Sequence, residues 1–73
     1  MEVLDTSGLK CPLPVLKAKK ALKALTVGDR LTVIATDPGA MKDFHHFCEA
    51  TGDTLESVTE DDGVLTFVIN KAE

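Results

Sequence analysis

Apolar residues recur every three or four positions in two stretches of the chain, which is the spacing of an α-helix with one buried side. The first stretch runs from Pro14 to Leu25, and its apolar positions are Val15, Ala18, Ala21, Leu22 and Leu25. The second stretch runs to about Thr51, and its apolar positions are Ala40, Met41, Phe44, Phe47 and Cys48. The pattern therefore predicts two helices, each buried along one side.

The residues that flank these stretches support the same two helices. Gly28 suits the left-handed turn after the first helix, and Gly52 stops the second. Asp37 can cap the second helix, and Pro38 suits its first turn. The second helix is therefore expected to begin immediately after Asp37.

Four short segments are predicted to be β-strands, on the basis of β-branched content, alternation or turn residues at their ends. They are Val3–Thr6, Leu31–Ala35, Thr54–Glu60 and Val64–Asn70. In the last strand, Leu65, Phe67 and Ile69 alternate along one face, as expected of a sheet that is covered on one side. The Asp62-Gly63 pair between the last two strands is a hairpin turn signal.

The predicted fold class is α/β, a two-layer βαβαββ sandwich. Its four-stranded mixed sheet has two helices packed on one face. The first two strands should be parallel with a right-handed crossover, and the last two should form an antiparallel hairpin. The pattern does not determine the strand order.

Composition narrows the class of protein. With 73 residues, the chain is expected to form a single domain over residues 1–73. The net charge of −4 argues against direct nucleic-acid binding. No apolar stretch approaches the roughly 20 residues that span a bilayer. The N-terminal residues lack the features of a signal peptide, so a cytoplasmic location with reduced thiols is expected.

Cys11 is the main candidate for chemistry, because it lies immediately before the first helix. Pro12 and Pro14 suit the first turn of that helix and make it stiff. A helix N-terminus and a nearby cation, here Lys10, both lower the pKa of a cysteine from its usual value of about 8.5. We therefore expect an exposed, activated thiolate. The alternative is a small buried cysteine beside prolines that only start a helix.

The remaining residues limit what Cys11 could do alone. The two histidines, His45 and His46, are interpreted as surface residues that do not converge with Cys48 on a metal. Cys48 lies on the core face of the second helix and is expected to be buried and inert. We predict no metal and no cofactor. A lone activated cysteine can exchange sulfur with another protein, but it lacks the oriented base that hydrolysis requires.

The stretch from Asp5 to Pro14, DTSGLKCPLP, followed by Lys19-Lys20, resembles the signature of the TusA/SirA-like sulfur-carrier family. Asp37-Pro38, Phe47-Cys48 and the closing hairpin also resemble that family, so the likeness covers essentially the whole chain.

The resemblance implies a persulfide on Cys11, with no stand-alone turnover of a small molecule. It implies that sulfur comes from a cysteine desulfurase or a rhodanese and passes to a DsrE-like (TusD-type) acceptor. The pathway would be tRNA 2-thiolation or sulfur oxidation and trafficking. The family also has an acidic residue at the position of Asp5, which could orient the Cys11 loop or shuttle a proton. The alternative for Asp5 is a carboxylate that only caps a turn.

One side of the first helix is predicted to dock acidic partner proteins. Leu16 lies opposite the buried side of that helix, among Lys19, Lys20 and Lys23. We also include Lys10, Pro12 and Pro14, which flank Cys11, in the predicted docking surface. The alternative is a solvated helix face with one exposed leucine.

Two other functions remain open from the sequence. The chain could be a regulatory module that uses the Leu16 and lysine surface, with Cys11 incidental. It could also be a thiol redox switch in which Cys11 pairs with glutathione or another chain. A free carrier is expected to be a monomer.

Overall fold

The structure, a computed structural model, describes residues 2–72 and contains six elements. The strands are β1 (Glu2–Asp5), β2 (Arg30–Ala35), β3 (Thr54–Asp61) and β4 (Val64–Asn70). The helices are α1 (Leu13–Lys23) and α2 (Ala40–Thr51). Among the residues so described, no helix is both long and apolar enough to cross a membrane.

The sheet has the strand order β1-β2-β4-β3, which the sequence left undetermined. As predicted, β1 and β2 are parallel and β3 and β4 are antiparallel. β2 also pairs with β4, and this pair, which was not predicted, is antiparallel. In the central pair, Leu31 lies opposite Ile69 and Val33 lies opposite Phe67. Because side chains alternate along a strand, this register places the large apolar residues on one face, where the helices cover them. The predicted two-layer α/β sandwich is confirmed.

The core lies between that face and the two helices. The Phe44 ring of α2 packs on the Phe67 ring of β4 with 4.5 Å between centroids. From α1, Ala18 and Leu22 are buried in the same cluster. The small Ala18 side chain has no accessible surface, so α1 packs closely against its neighbours.

The turns largely follow their sequence signals. Gly52 ends α2 with φ 85°, and its N–H donates to the Cys48 carbonyl. Asp62 and Gly63 both have positive φ, as a two-residue hairpin turn requires. The predicted end of α1 at Leu25 is two residues late, since the helix ends at Lys23. Gly28 lies beyond it in a separate turn, where the Asp29 N–H donates to the Thr26 carbonyl.

Candidate functional site

Cys11 is exposed in the loop between β1 and α1, one residue before Pro12, which is the N-cap of α1. The Cys11 N–H donates to Oδ2 of Asp37 at 2.6 Å. Asp37 follows β2, and the carboxyl ends of parallel neighbours meet at one edge of a sheet. The topology therefore brings the two loops together. It fixes the Cys11 backbone by a contact between residues 26 positions apart in the chain.

The role predicted for Asp37 changes accordingly. α2 begins at Ala40 with Gly39 as its N-cap, and no side chain caps it. Asp37 Oδ1 makes only a long 3.4 Å contact with the Gly39 N–H, while Oδ2 accepts from Cys11. The prediction that Asp37 caps the helix was therefore wrong. Asp37 instead lies on the same surface as Cys11 and accepts a hydrogen bond from its backbone.

Asp5 stabilises the beginning of the Cys11 loop. Its Oδ1 accepts from the Ser7 N–H at 2.9 Å, and the bonds from Ser7 lower the pKa of the Asp5 carboxyl. One residue later, the Gly8 N–H donates to Thr36 Oγ1 at 2.9 Å. Asp5 therefore holds the first turn of the loop rather than the cysteine. An orienting effect on Cys11 through that turn remains a prediction.

A second carboxylate contacts the sulfur itself. The Cys11 thiol donates a hydrogen bond to Oδ2 of Asp43, which lies in the first turn of α2. This bond raises the pKa of the Cys11 thiol, and desolvation and the negative charges of Asp43 and Asp37 raise it further. The expected activated thiolate was therefore wrong: Cys11 is exposed, as predicted, but its surroundings favour the neutral thiol.

The prolines explain why the helix N-terminus does not favour a thiolate. Pro12 and Pro14 have no N–H, so two positions at the start of α1 offer no donor. The N–H of Leu13, between them, donates to the Lys10 carbonyl at 2.9 Å. Few donors are left for the sulfur of Cys11. The same prolines that place Cys11 thus weaken the anion site that a helix start usually provides.

The sulfur lies at the edge of a shallow cleft of about 350 Å³ between α1 and α2. Most of the exposed surface of its walls is apolar. The cleft is lined by Cys11, Pro12, Val15, Asp43, His46 and Phe47. His46 is exposed, as predicted, yet it shares this cleft with the cysteine. A group attached to the sulfur would therefore have both apolar surface and a carboxylate beside it.

Cys48 lies in a different environment. Its side chain is 5% exposed within the core, and burial raises its pKa to about 11. The prediction of a buried core cysteine is confirmed. His45 Nδ1 contacts the Met41 carbonyl at 2.8 Å within its own helix. Across residues 2–72, the structure shows no cluster of three or more His, Cys, Asp or Glu side chains suited to a metal.

The predicted docking residues divide into two groups. Leu16 is 53% exposed, and Lys10, Lys19 and Lys20 are exposed as well. Pro14, in contrast, is fully buried. Its predicted contact with a partner is therefore wrong, because its ring packs in the interior and stiffens the start of α1.

Sequence reasoning missed three features of the site. Asp43 was not noted, Phe47 was assigned only to the core face of its helix, and Leu13, which is 45% exposed beside Cys11, was not noted either. The parallel β1–β2 pair was a usable signal for Asp43. It places the starts of α1 and α2 at one edge of the sheet, so the first turn of α2 had to lie near Cys11.

Fold and site together define a small two-layer α/β domain with one exposed cysteine beside a cleft between its two helices. The family model described as Sulfurtransferase TusA matches residues 2–71. The chain therefore belongs to the TusA sulfurtransferase family.

Similar proteins give the same assignment. A relative from Neisseria meningitidis is 57% identical over 68 residues, which are 93% of this chain and 92% of the relative. The sulfur carrier protein TusA of Allochromatium vinosum is 52% identical, covering 94% of this chain and 91% of its own length. The crystal structure of a SirA-like protein from Desulfitobacterium hafniense matches all of both chains, with a TM-score of 0.85 and 31% identity. These relatives support a sulfur carrier role.

Proposed function

We propose that this protein carries sulfane sulfur as a persulfide on Cys11. A cysteine desulfurase or a rhodanese loads the sulfur, and a DsrE-like (TusD-type) protein accepts it. The protein is thus a sulfurtransferase in the sense of a carrier, and it turns over no small molecule alone. It serves tRNA 2-thiolation or sulfur oxidation and trafficking in the cytoplasm.

The observation that carries the proposal is the placement of the Cys11 sulfur. The sulfur is exposed, and the backbone that carries it is held by the hydrogen bond from the Cys11 N–H to Asp37. Cys11 also lines a cleft with room for one more sulfur atom. Cys48, the other cysteine of the chain, is buried. Because a resolving thiol must reach the sulfur it attacks, this arrangement favours a persulfide over an internal disulfide.

The proposed partner surface extends from Cys11 along α1. Leu13 and Leu16 expose apolar side chains, and Lys19 and Lys20 add positive charge to this side of a protein whose net charge is −4. Lys10 adds a further positive charge before the cysteine. Charged groups around an apolar contact raise the association rate with an oppositely charged partner. Donor and acceptor surfaces are therefore expected to be acidic.

Intact-mass spectrometry tests the persulfide. The reduced and desalted protein is incubated with polysulfide or thiosulfate, and separately with a cysteine desulfurase and cysteine. We expect mass increments of whole sulfur atoms that reductant removes. Cys11→Ser should acquire none, while Cys48→Ala should be loaded like the wild type.

Either of two results would contradict the proposal. One is that no donor loads the wild type. The other is that Cys11→Ser is loaded as well as the wild type. A mixed disulfide with glutathione that forms in preference to the persulfide would instead favour a redox switch.

A further inference from the structure

The hydrogen bond between Cys11 and Asp43 bears on the form in which the sulfur is handed over. A thiol that donates to a carboxylate keeps its proton, since the thiolate would face a negative charge. Asp37 places a second carboxylate at the Cys11 amide. Cys11 is therefore surrounded mainly by groups that disfavour an anion.

The other charged groups near the cleft do not reverse this balance. His46 lies on the cleft wall from α2, and Lys10 precedes Cys11 in the chain, but neither side chain hydrogen-bonds the sulfur in the described structure. Pro12, Val15 and Phe47 add apolar wall. Apolar surroundings favour the uncharged form of an ionisable group.

The protonation of a persulfide decides its reactivity. A deprotonated persulfide is a nucleophile, as a thiolate is, and it repels an attacking thiolate. A protonated persulfide can be attacked at its outer sulfur, as one sulfur of a disulfide is attacked by a thiolate. A carrier that donates sulfur to an acceptor thiolate therefore benefits from the protonated form.

We propose that Asp43 is a catalytic residue that holds a proton on the Cys11-bound sulfur, so that the carrier delivers its outer sulfur as an electrophile. This inference rests on the proposed persulfide carrier and goes beyond it. The inference gives a chemical role to Asp43, a residue of α2 that lies outside the Cys-Pro-Leu-Pro motif.

The transfer step balances without an external oxidant. The acceptor thiolate forms a bond to the outer sulfur of Cys11–S–SH, and the bond between that sulfur and Cys11 Sγ breaks. The proton of the outer sulfur passes through the Asp43 carboxylate to the departing Cys11 sulfur. The acceptor thiol is oxidised to a persulfide, and Cys11 is reduced to the thiol that again donates to Asp43.

Two reagents test the proposal. One reacts with the loaded sulfur when that sulfur is a nucleophile, and the other reacts with it when it is an electrophile. Iodoacetamide alkylates a nucleophilic persulfide. Tris(hydroxypropyl)phosphine attacks an electrophilic outer sulfur, becoming a phosphine sulfide as Cys11 returns to the thiol. Because iodoacetamide and the nucleophilic form of the phosphine are both uncharged, removing a carboxylate does not change the attraction of the reacting species to the site. Intact-mass spectrometry follows both reactions as the loss of a sulfur atom or the gain of a carbamidomethyl group.

For loaded Asp43→Asn at neutral pH, we expect alkylation about three- to tenfold faster than for the wild type. Phosphine attack should be about three- to tenfold slower. Both changes follow because the substitution weakens one hydrogen bond to a charged group. Glu49→Gln is the matched control, because it removes one carboxylate from an exposed position of the same helix. It should leave both rates unchanged. Asp43→Ala is a second variant, and circular dichroism checks that every variant is folded.

The outcomes separate this inference from the proposed function. A change of both rates in the same direction, or of neither, in the Asp43 variants would overturn the role of Asp43 while the carrier stands. The alkylation rate of the unloaded Cys11 thiol gives an independent measurement. If this rate is no faster in Asp43→Asn than in the wild type, the proposed role of Asp43 is also overturned. A wild type that no sulfur donor loads would overturn the carrier and this inference with it.

Discussion

Cys11 and Cys48 both have a raised pKa, but for different physical reasons. Cys48 is buried among core side chains, and desolvation raises its pKa to about 11. Cys11 is exposed, and its pKa is raised first by the hydrogen bond to Asp43. Burial leaves a thiol out of reach, whereas a neighbouring carboxylate changes its protonation and leaves it accessible. Access to solvent, rather than the direction of the pKa shift, therefore distinguishes the two cysteines.

The largest expected effect is a difference in reactivity between the two thiols. We expect native Cys11 to be alkylated roughly 100-fold faster than Cys48, because a buried thiol reacts only when the structure opens. The rate at Cys11 should keep rising as the pH passes the ordinary thiol value, since its raised pKa keeps the thiolate scarce at neutral pH. Mass spectrometry of samples quenched over a range of pH measures both rates.

Two single-residue variants show which cysteine is responsible for each alkylation rate. Cys48→Ala should keep the fast reaction, and Cys11→Ser should lose it. Comparable rates at the two cysteines in the folded wild type would contradict the distinction. So would a Cys11 rate that stops rising below the ordinary thiol pKa.

Opening the core should remove the difference in access. Phe44 lies one turn before Cys48 on the buried face of α2 and packs on Phe67. Phe44→Ala should lower the free energy of unfolding by about 3–5 kcal/mol and raise the alkylation rate of Cys48 more than that of Cys11. Denaturant unfolding and alkylation measure the two effects.

Val27 provides the control for that variant, because it is 66% exposed. Val27→Ala should change the free energy of unfolding by no more than about 0.5 kcal/mol. A Phe44→Ala protein that keeps its stability, or in which Cys48 remains as unreactive as before, would contradict the proposed protection by the core.

The smallest expected effect concerns the surface beside Cys11. Leu16→Ala should reduce the rate of loading by a cysteine desulfurase about fivefold, the effect of about 1 kcal/mol at a protein interface. Loading by polysulfide should not change, because a small donor needs no docking surface. The rates come from intact-mass spectrometry at a series of times.

Val27→Ala again serves as the control, as it removes an exposed apolar side chain away from the start of α1. It should leave both donors unaffected. If Leu16→Ala slowed polysulfide as much as the desulfurase, its effect would lie in the cysteine site and not in docking.

The fold could be predicted largely from local signals. The alternation of Leu65, Phe67 and Ile69 gave the covered face of the sheet, and Asp62-Gly63 gave the hairpin. These properties depend on residues close in the chain. The strand order depends instead on which distant strands pair with β2, and local patterns along the chain do not encode that choice.

The site was predictable only in its main residue. Cys11 stood out by its prolines, but its protonation depends on Asp37 and Asp43, which lie 26 and 32 positions away. A helix N-terminus favours a thiolate through its free N–H groups, and Pro12 and Pro14 remove two of them. The general rule for helix starts does not include the contacts with Asp37 and Asp43, which reverse its effect on Cys11.

The shape of the molecule around Cys11 has a consequence for how sulfur moves through a cell. The body measures 31 × 22 × 19 Å, and the proposed docking surface adjoins the proposed persulfide and extends from it along α1. Two proteins of ordinary size cannot both cover one sulfur atom there, so the donor must leave before the acceptor arrives. Each carrier molecule is then loaded and unloaded in turn, one sulfur atom at a time. The rate of sulfur delivery depends on the number of carrier molecules and on how quickly each partner releases the carrier.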